Sequence, residues 1–240
     1  FKSRNLVGCD PGKCSLVYMM DDKGNKLRYT AAQRRKESKA KRRNQILLLE
    51  KERYGIKEKE AALSSFNRKS VDYERFKLYL IEKDKLNRET SEFYQREVWR
   101  KMRFRSFCYR RKSLDKFLDR IKETFGSNIL IGYGDWSSSS QLRNFMPTMI
   151  GGLRRAIHKR YDTVTIHERN TSKKCCECHN DLKNYIDEDG EEVHRLMVCS
   201  ECVRHQVKQT VIRTRDANSA VNILNITKNW IEHQERQPWF

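Results

Sequence analysis

Cys175 and Cys178 form one C-x-x-C pair, Cys199 and Cys202 form another, and twenty residues lie between them. No other feature restricts the fold of this chain as strongly. Each C-x-x-C turn aims two thiolates at one point, and two such turns complete the tetrahedral shell of a zinc ion. With every ligand position filled by protein, the site reads as structural rather than catalytic. The acidic run DEDGEE between the pairs suits a hairpin tip. Cys176 and His179 lie beside the first pair but do not repeat its spacing. Five of the eight cysteines fall in this last third, a clustering that fits metal better than a disulfide framework and implies a reducing compartment.

The charge balance narrows the partners. Lys and Arg number 51 against 32 Asp and Glu, a formal net charge of +19. Such an excess favours a polyanion, because neutralising phosphates releases their counterions. An anionic membrane is the rival reading, and basicity for solubility alone is another. No apolar run approaches the ~18 residues of a membrane-spanning helix, and no signal-peptide pattern opens the chain. The sequence begins at Phe1 and runs straight into an apolar strand, so it reads as the C-terminal part of something longer.

Hydrophobic patterning divides the chain. NLVGC (5–9) and CSLVYMM (14–20) flank Asp10-Pro11-Gly12 and read as a β-hairpin, with a further strand at Lys26–Thr30. From Ala31 to Phe125 there is no proline and one glycine, Gly55, and the periodicity is helical throughout. This insertion holds two basic clusters, RRKESKAKRR (34–43) and WRKMRFRSFCYRRK (99–112). The second interleaves aromatic residues with Arg100, Lys101, Arg103, Arg105, Arg110 and Arg111, a mixture suited to phosphates and bases. A solvated face of an amphipathic helix has the same composition. Strand character returns at NILIGYGDW (128–136); SSSSQLRN is a loop; a helix is expected from near Pro147 to Lys159; TVTIHE (163–168) is a strand; and a helix follows from Arg215. The order implies an α/β core carrying two insertions.

Two carboxylates stand out by position. Asp10 ends an apolar strand, where its side chain can overhang a sheet edge, although an aspartate before proline is also a common turn residue. Asp216 opens TRDANSAVNIL, where an N-cap is the plain alternative.

GCDPG, TSKKCCEC, CSEC and TRDANSAVNIL, in that order, resemble the RuvC-like nuclease half of the TnpB/Fanzor proteins, transposon-encoded RNA-guided DNA endonucleases related to the type V CRISPR effectors. The resemblance covers essentially the whole chain and is weakest over 31–125. It implies an RNase H-like (RuvC) mixed sheet with a long helical insertion and an inserted zinc ribbon. On that basis the parts are nuclease part I at 1–30, the helical insertion at 31–126, part II at 127–168, the zinc ribbon on the target nucleic acid at 169–207, and part III at 208–240. It implies that Asp10 and Asp216 are two of three acidic ligands to two Mg²⁺ ions, alongside the structural Zn²⁺. It further implies a guide RNA and target double-stranded DNA as partners of a monomeric ribonucleoprotein, and no membrane. The family's N-terminal domains, which help to hold guide and target, have no counterpart in this sequence.

One departure bears on catalysis. The third acid of TnpB is a glutamate ending the fourth strand, and NILIGYGDW has none; its carboxylate is Asp135. Fanzor proteins carry a relocated glutamate just ahead of the zinc ribbon, and HERNTSKKC supplies Glu168. Glu168 is therefore expected as the third ligand, with Asp135 as the competing or auxiliary acid; a rim charge paired with Arg169 is the alternative for Glu168. The relocated glutamate favours Fanzor over bacterial TnpB and, with it, the nucleus of a eukaryotic or virus-infected cell. A cleavage-deficient, guide-dependent DNA-binding protein on the same fold is the alternative function, and a zinc-ribbon adaptor whose acids are only caps is a third.

Overall fold

The computed structural model describes residues 3–136, 148–204 and 207–240, and only the backbone of 203–204 and 207–209. The Ser-rich loop and Pro147 lie outside the described residues. Contacts divide the chain into two compact units, one formed by 1–33 with 114–240 and the other by 34–113.

The first unit is built on a five-stranded mixed sheet. Strands β1 (Asn5–Pro11), β2 (Ser15–Asp21) and β3 (Lys26–Thr30) form an antiparallel meander, and β4 (Ile129–Gly134) and β5 (Asp162–Ile166) join parallel to β1 on its other side. The order is β3-β2-β1-β4-β5. The hairpin strand runs on through Asp10 and Pro11. β4 is buried at every residue, as a central parallel strand covered on both faces should be.

The two faces are sorted by the alternation of side chains along each strand. Val7, Cys9, Ile131 and Tyr133 point into the main core, where they meet Phe117, Ile121 and Phe125 of the preceding insertion helix and Leu153 and Ile157. The last two belong to the helix at Ile150–His158, shorter than the sequence suggests. The opposite face carries Gly8 paired with Gly132 across β1 and β4. A Cβ on Gly8 would lie 2.7 Å from the Leu224 amide, and one on Gly132 would lie 3.1 Å from Thr227 Cβ. The two glycines thus open a trough into which the final helix, Arg215–His233, settles at backbone contact. Ala220, Ile223 and Leu224 are buried in the process.

A three-stranded antiparallel sheet, β6 (Lys183–Ile186), β7 (Glu192–Arg204) and β8 (Val207–Thr214), carries the cysteine segment.

The second unit is helical. Its helices, in chain order with those of the first unit, are α1 (Ala31–Glu37, shared at its start), α2 (Ala40–Arg53), α3 (Ile56–Ala62), α4 (Tyr73–Gln95) and α5 (Glu97–Phe125, whose end enters the first unit); the helices at Ile150–His158 and Arg215–His233 are α6 and α7. Gly55, at φ 61°, ends α2 as glycine helix stops do. Asp72 caps α4 by accepting from the amides of Glu74 and Arg75 at 2.9 and 3.3 Å. The unit's own core is Ile56, Phe93 and Trp99, with the last two rings 4.9 Å apart.

Candidate metal centres

The four paired cysteines converge. Their Sγ atoms lie within 4.8 Å of one another, and among the described residues this is the one group of metal-ligating side chains so tightly gathered. Neighbouring sulfurs stand 3.3, 3.5 and 3.8 Å apart. A tetrahedral zinc with Zn–S of about 2.3 Å has S···S edges of about 3.8 Å. The donor set therefore fits zinc in number, type and spacing. Cys175 and Cys178 sit on a turn closed by the His179 amide donating to the Cys175 carbonyl at 3.0 Å. Cys199 and Cys202 sit where β7 breaks register against β8. Burial opposes ionisation of Cys175, but hydrogen bonds from the amides of Cys178 and Glu177 and from the Cys202 and Cys178 thiols together bring its pKa down to about 7. Arg213 faces Cys202 at 3.7 Å and pairs with Glu177 at 2.5 Å. Cys176 points elsewhere: burial pushes its thiol up to about 11, and its amide donates to Asn218 Oδ1 at 3.0 Å. His179 stacks on Trp239, with ring centroids 4.4 Å apart.

The carboxylates gather at the end of the sheet, on the face that α7 covers. Asp10 is two residues past Gly8, so it points to that face. Continuing the pairing of Cys9 with Tyr133 sets it beside Gly134. Glu168 arrives from the neighbouring strand, two residues beyond Ile166. A Cβ on Gly134 would collide with Glu168 Oε1 and lie 2.6 Å from its Cδ. The carboxylate of Glu168 thus occupies the space that a side chain at the end of β4 would fill. Asp216 arrives from the first turn of α7. It is not the N-cap; Thr214 holds that position, without a side-chain cap bond. Ser15 Oγ, on β2, donates to Asp216 Oδ2 at 2.6 Å.

The electrostatics follow from this crowding. Burial, and then the charges of Glu168 and Asp216, push the Asp10 carboxyl well above the usual carboxylate range. Burial also raises Glu168, the Trp136 amide partly offsets it, and the Asp135 charge adds to it, leaving a pKa of about 7. The Trp136 amide donates to Glu168 Oε1 at 3.3 Å. Asp135 is exposed and engages backbone instead. Its Oδ1 accepts the Glu168 amide at 3.1 Å, while its own amide donates to the Ile166 carbonyl at 3.0 Å. It fastens the stretch of chain that presents Glu168.

Three further residues hold this arrangement, and sequence reasoning passed over them. Thr171 closes the turn after Glu168, its amide and hydroxyl donating to the Glu168 carbonyl at 3.2 and 2.9 Å. Asn218 and Asn222, one turn apart on α7, each donate to the carbonyls of Thr171 and Lys174, at 2.7 to 3.2 Å. The pair joins the turn after Glu168 to the cysteine turn. The signal was present as two asparagines at i and i+4 inside TRDANSAVNIL.

The basic residues of the insertion are spread around α5. Lys101 pairs with Glu97 at 3.2 Å, and Arg110 Nε donates to the Ser106 carbonyl of its own helix at 3.2 Å. Arg100, Arg103 and Arg111 are exposed, and Arg105 lines a cavity between α2 and α5.

No known protein family model matches the chain, and no curated protein matches it. Among solved structures it is similar to the Cas12f1 protein of a cryo-EM structure of the Cas12f1-sgRNA-target DNA complex, at 14% identity and a TM-score of 0.44, over 93% of this chain and 50% of that one. The chain spans about half the length of that protein, and at this identity and score the likeness assigns neither residues nor an activity.

Proposed function

We propose that this chain is the nuclease portion of an RNA-guided DNA endonuclease of the TnpB/Fanzor kind, with an RNase H-like sheet, a structural zinc ribbon and a magnesium-dependent acidic centre. One observation carries the reading: Asp10, Glu168 and Asp216, far apart in sequence, meet at one end of one sheet face, close enough for Asp10 to feel both other charges.

Such crowding is costly unless cations share the site. An all-carboxylate donor set with raised proton affinity suits Mg²⁺, a hard cation that takes oxygen ligands and retains waters. Bound there, the ions would supply an activated water and charge stabilisation for phosphodiester hydrolysis. The chain's own contribution is positional. Ser15 holds the Asp216 carboxylate from one side, and the Trp136 amide and Gly134 seat Glu168 on the other. Asp135 acts on the Glu168 backbone rather than as the third ligand. The exposed cations of the helical unit provide the sequence-independent attraction for guide RNA and target DNA. The relocated glutamate supports a Fanzor rather than a bacterial TnpB, and a nuclear setting.

The test is direct. RNA that copurifies with the complete protein is sequenced, and duplex DNA matching it is supplied with and without Mg²⁺. Magnesium-dependent cleavage that Asp10→Ala abolishes, with DNA binding retained, is the expected result. Guided binding without cleavage in the unaltered protein would instead favour the cleavage-deficient reading.

A further inference from the structure

Within the helical unit, α2 and α5 flank a cavity of about 180 Å³ that is open to solvent. A cavity of about 150 Å³ holds a benzene ring, so this space can take a single base but not a whole nucleotide. Four cations line it, Lys39, Arg42, Arg43 and Arg105, and no carboxylate does. Elsewhere in the same unit carboxylates answer the cations, as in Lys51–Glu60, Arg96–Glu50 and Arg88–Asp84 at 2.5 to 2.8 Å. The cavity is thus a local concentration of positive charge in a concave wall, which focuses field on an anion.

The wall is also built. Arg43 is fixed by its Nη1 donating to the buried Ser106 Oγ at 2.6 Å. Lys39 takes a left-handed backbone, φ 52°, at the start of α2, and its ammonium lies 4.9 Å from the centre of the Tyr109 ring. Ile46, Met102 and Tyr109 give the same cavity an apolar side. Cations facing an apolar, partly aromatic wall match one chemical object, a base joined to phosphate. The two basic clusters of the sequence contribute three cations and one, respectively.

We propose that the cavity between α2 and α5 binds a single unpaired nucleotide, with phosphates on Lys39, Arg42, Arg43 and Arg105 and the base against Ile46, Met102 and Tyr109. The site deepens the proposed nucleic-acid function and rests on it. The cleft seats no more than one base, with sugar and phosphate at its open mouth, so it takes a strand end, bulge or flipped position of RNA or DNA.

The experiment measures binding of matched single-stranded RNA and DNA oligonucleotides, each of about five nucleotides, to the full chain in magnesium-free buffer, across a salt series. Arg42→Gln/Arg105→Gln is compared with Arg68→Gln/Lys69→Gln, an equal charge change at exposed residues away from the cavity. The cavity pair should weaken binding at least tenfold and flatten the slope of log K against log salt by about 0.7 for each phosphate no longer neutralised. The control pair should change affinity less than twofold. Met102→Ala should weaken binding about threefold with the slope unchanged, and an abasic oligonucleotide should be insensitive to it. A preference between the RNA and DNA probes identifies the natural strand. Equal losses for the cavity and control pairs would mean a diffuse field and overturn the proposal. If the unaltered chain binds neither probe at low salt, the broader nucleic-acid reading falls with it.

Discussion

At the residue scale the site turns on an exchange between two strand ends. Gly134 ends β4 without a side chain, and Glu168, reaching from beyond β5, fills the space. Gly134→Ala is therefore expected to expel the Glu168 carboxylate while leaving the sheet intact, because the glycine's backbone needs no unusual φ. Cleavage should fall by at least a hundredfold with an unchanged circular dichroism spectrum; cleavage at the unaltered rate would show that Glu168 does not act from this position. Protonation gives a second expectation. The Glu168 pKa rises from 4.5 to about 7 on folding. Between those values the folded chain binds more protons than the unfolded one, so this group lowers stability as pH rises from about 4.5 to about 7. In magnesium-free buffer, urea melts at pH 5 and pH 8 should show the unaltered chain losing more stability than Glu168→Gln, by an amount on the order of a few kcal/mol. Added Mg²⁺ should close the gap at pH 8 by binding the folded state. Glu168 was singled out in the sequence only through the family resemblance. Gly134 was not, since a strand glycine is equally a bulge or a close approach until its neighbour is known.

At the scale of elements, the cysteine turn, the turn after Glu168 and α7 behave as one joint. Asn218 and Asn222 are both almost fully buried and are shared between the two turns. Losing the metal should therefore be felt at the acidic centre. Cys199→Ser is expected to release zinc, lower the melting temperature and reduce cleavage together; metal analysis of the unaltered protein finding no zinc would remove the basis for this. The paired cysteines, the helix from Arg215 and the strand at Lys26–Thr30 were all readable from spacing and periodicity. The setting of Asp216 was not. The sequence allowed it as the helix cap, whereas the structure gives that position to Thr214 and sets Asp216 against the Ser15 hydroxyl of a distant strand.

At the scale of the whole molecule, a charge of +19 favours a polyanionic partner. Replacing Arg100, Arg103, Arg110 and Arg111 together by Gln should weaken binding to long nucleic acid and reduce the steepness of its salt dependence; an unchanged slope would leave these residues as a solvated helix face. Both basic clusters were visible in the sequence, because charge is a property of composition. Their meeting across a cavity was not, because it depends on how the helix-rich stretch folds back on itself. The same limit applied to the trough made by Gly8 and Gly132, which brings α7, and Asp216 with it, down onto the sheet.

On the proposed function, Glu168, and not Asp135, completes the acidic centre. Guided cleavage by Glu168→Gln and Asp135→Asn, measured side by side in Mg²⁺ with DNA binding as the control, separates the two most directly. The amide keeps the size of Glu168 but removes the charge that would hold a cation, so Glu168→Gln should cut at least a thousandfold more slowly while binding DNA normally. Asp135→Asn keeps an oxygen able to accept the Glu168 amide, so it should retain most of the activity. Loss of cleavage in Asp135→Asn together with an unchanged rate in Glu168→Gln would contradict the claim and return the third acid to the end of β4.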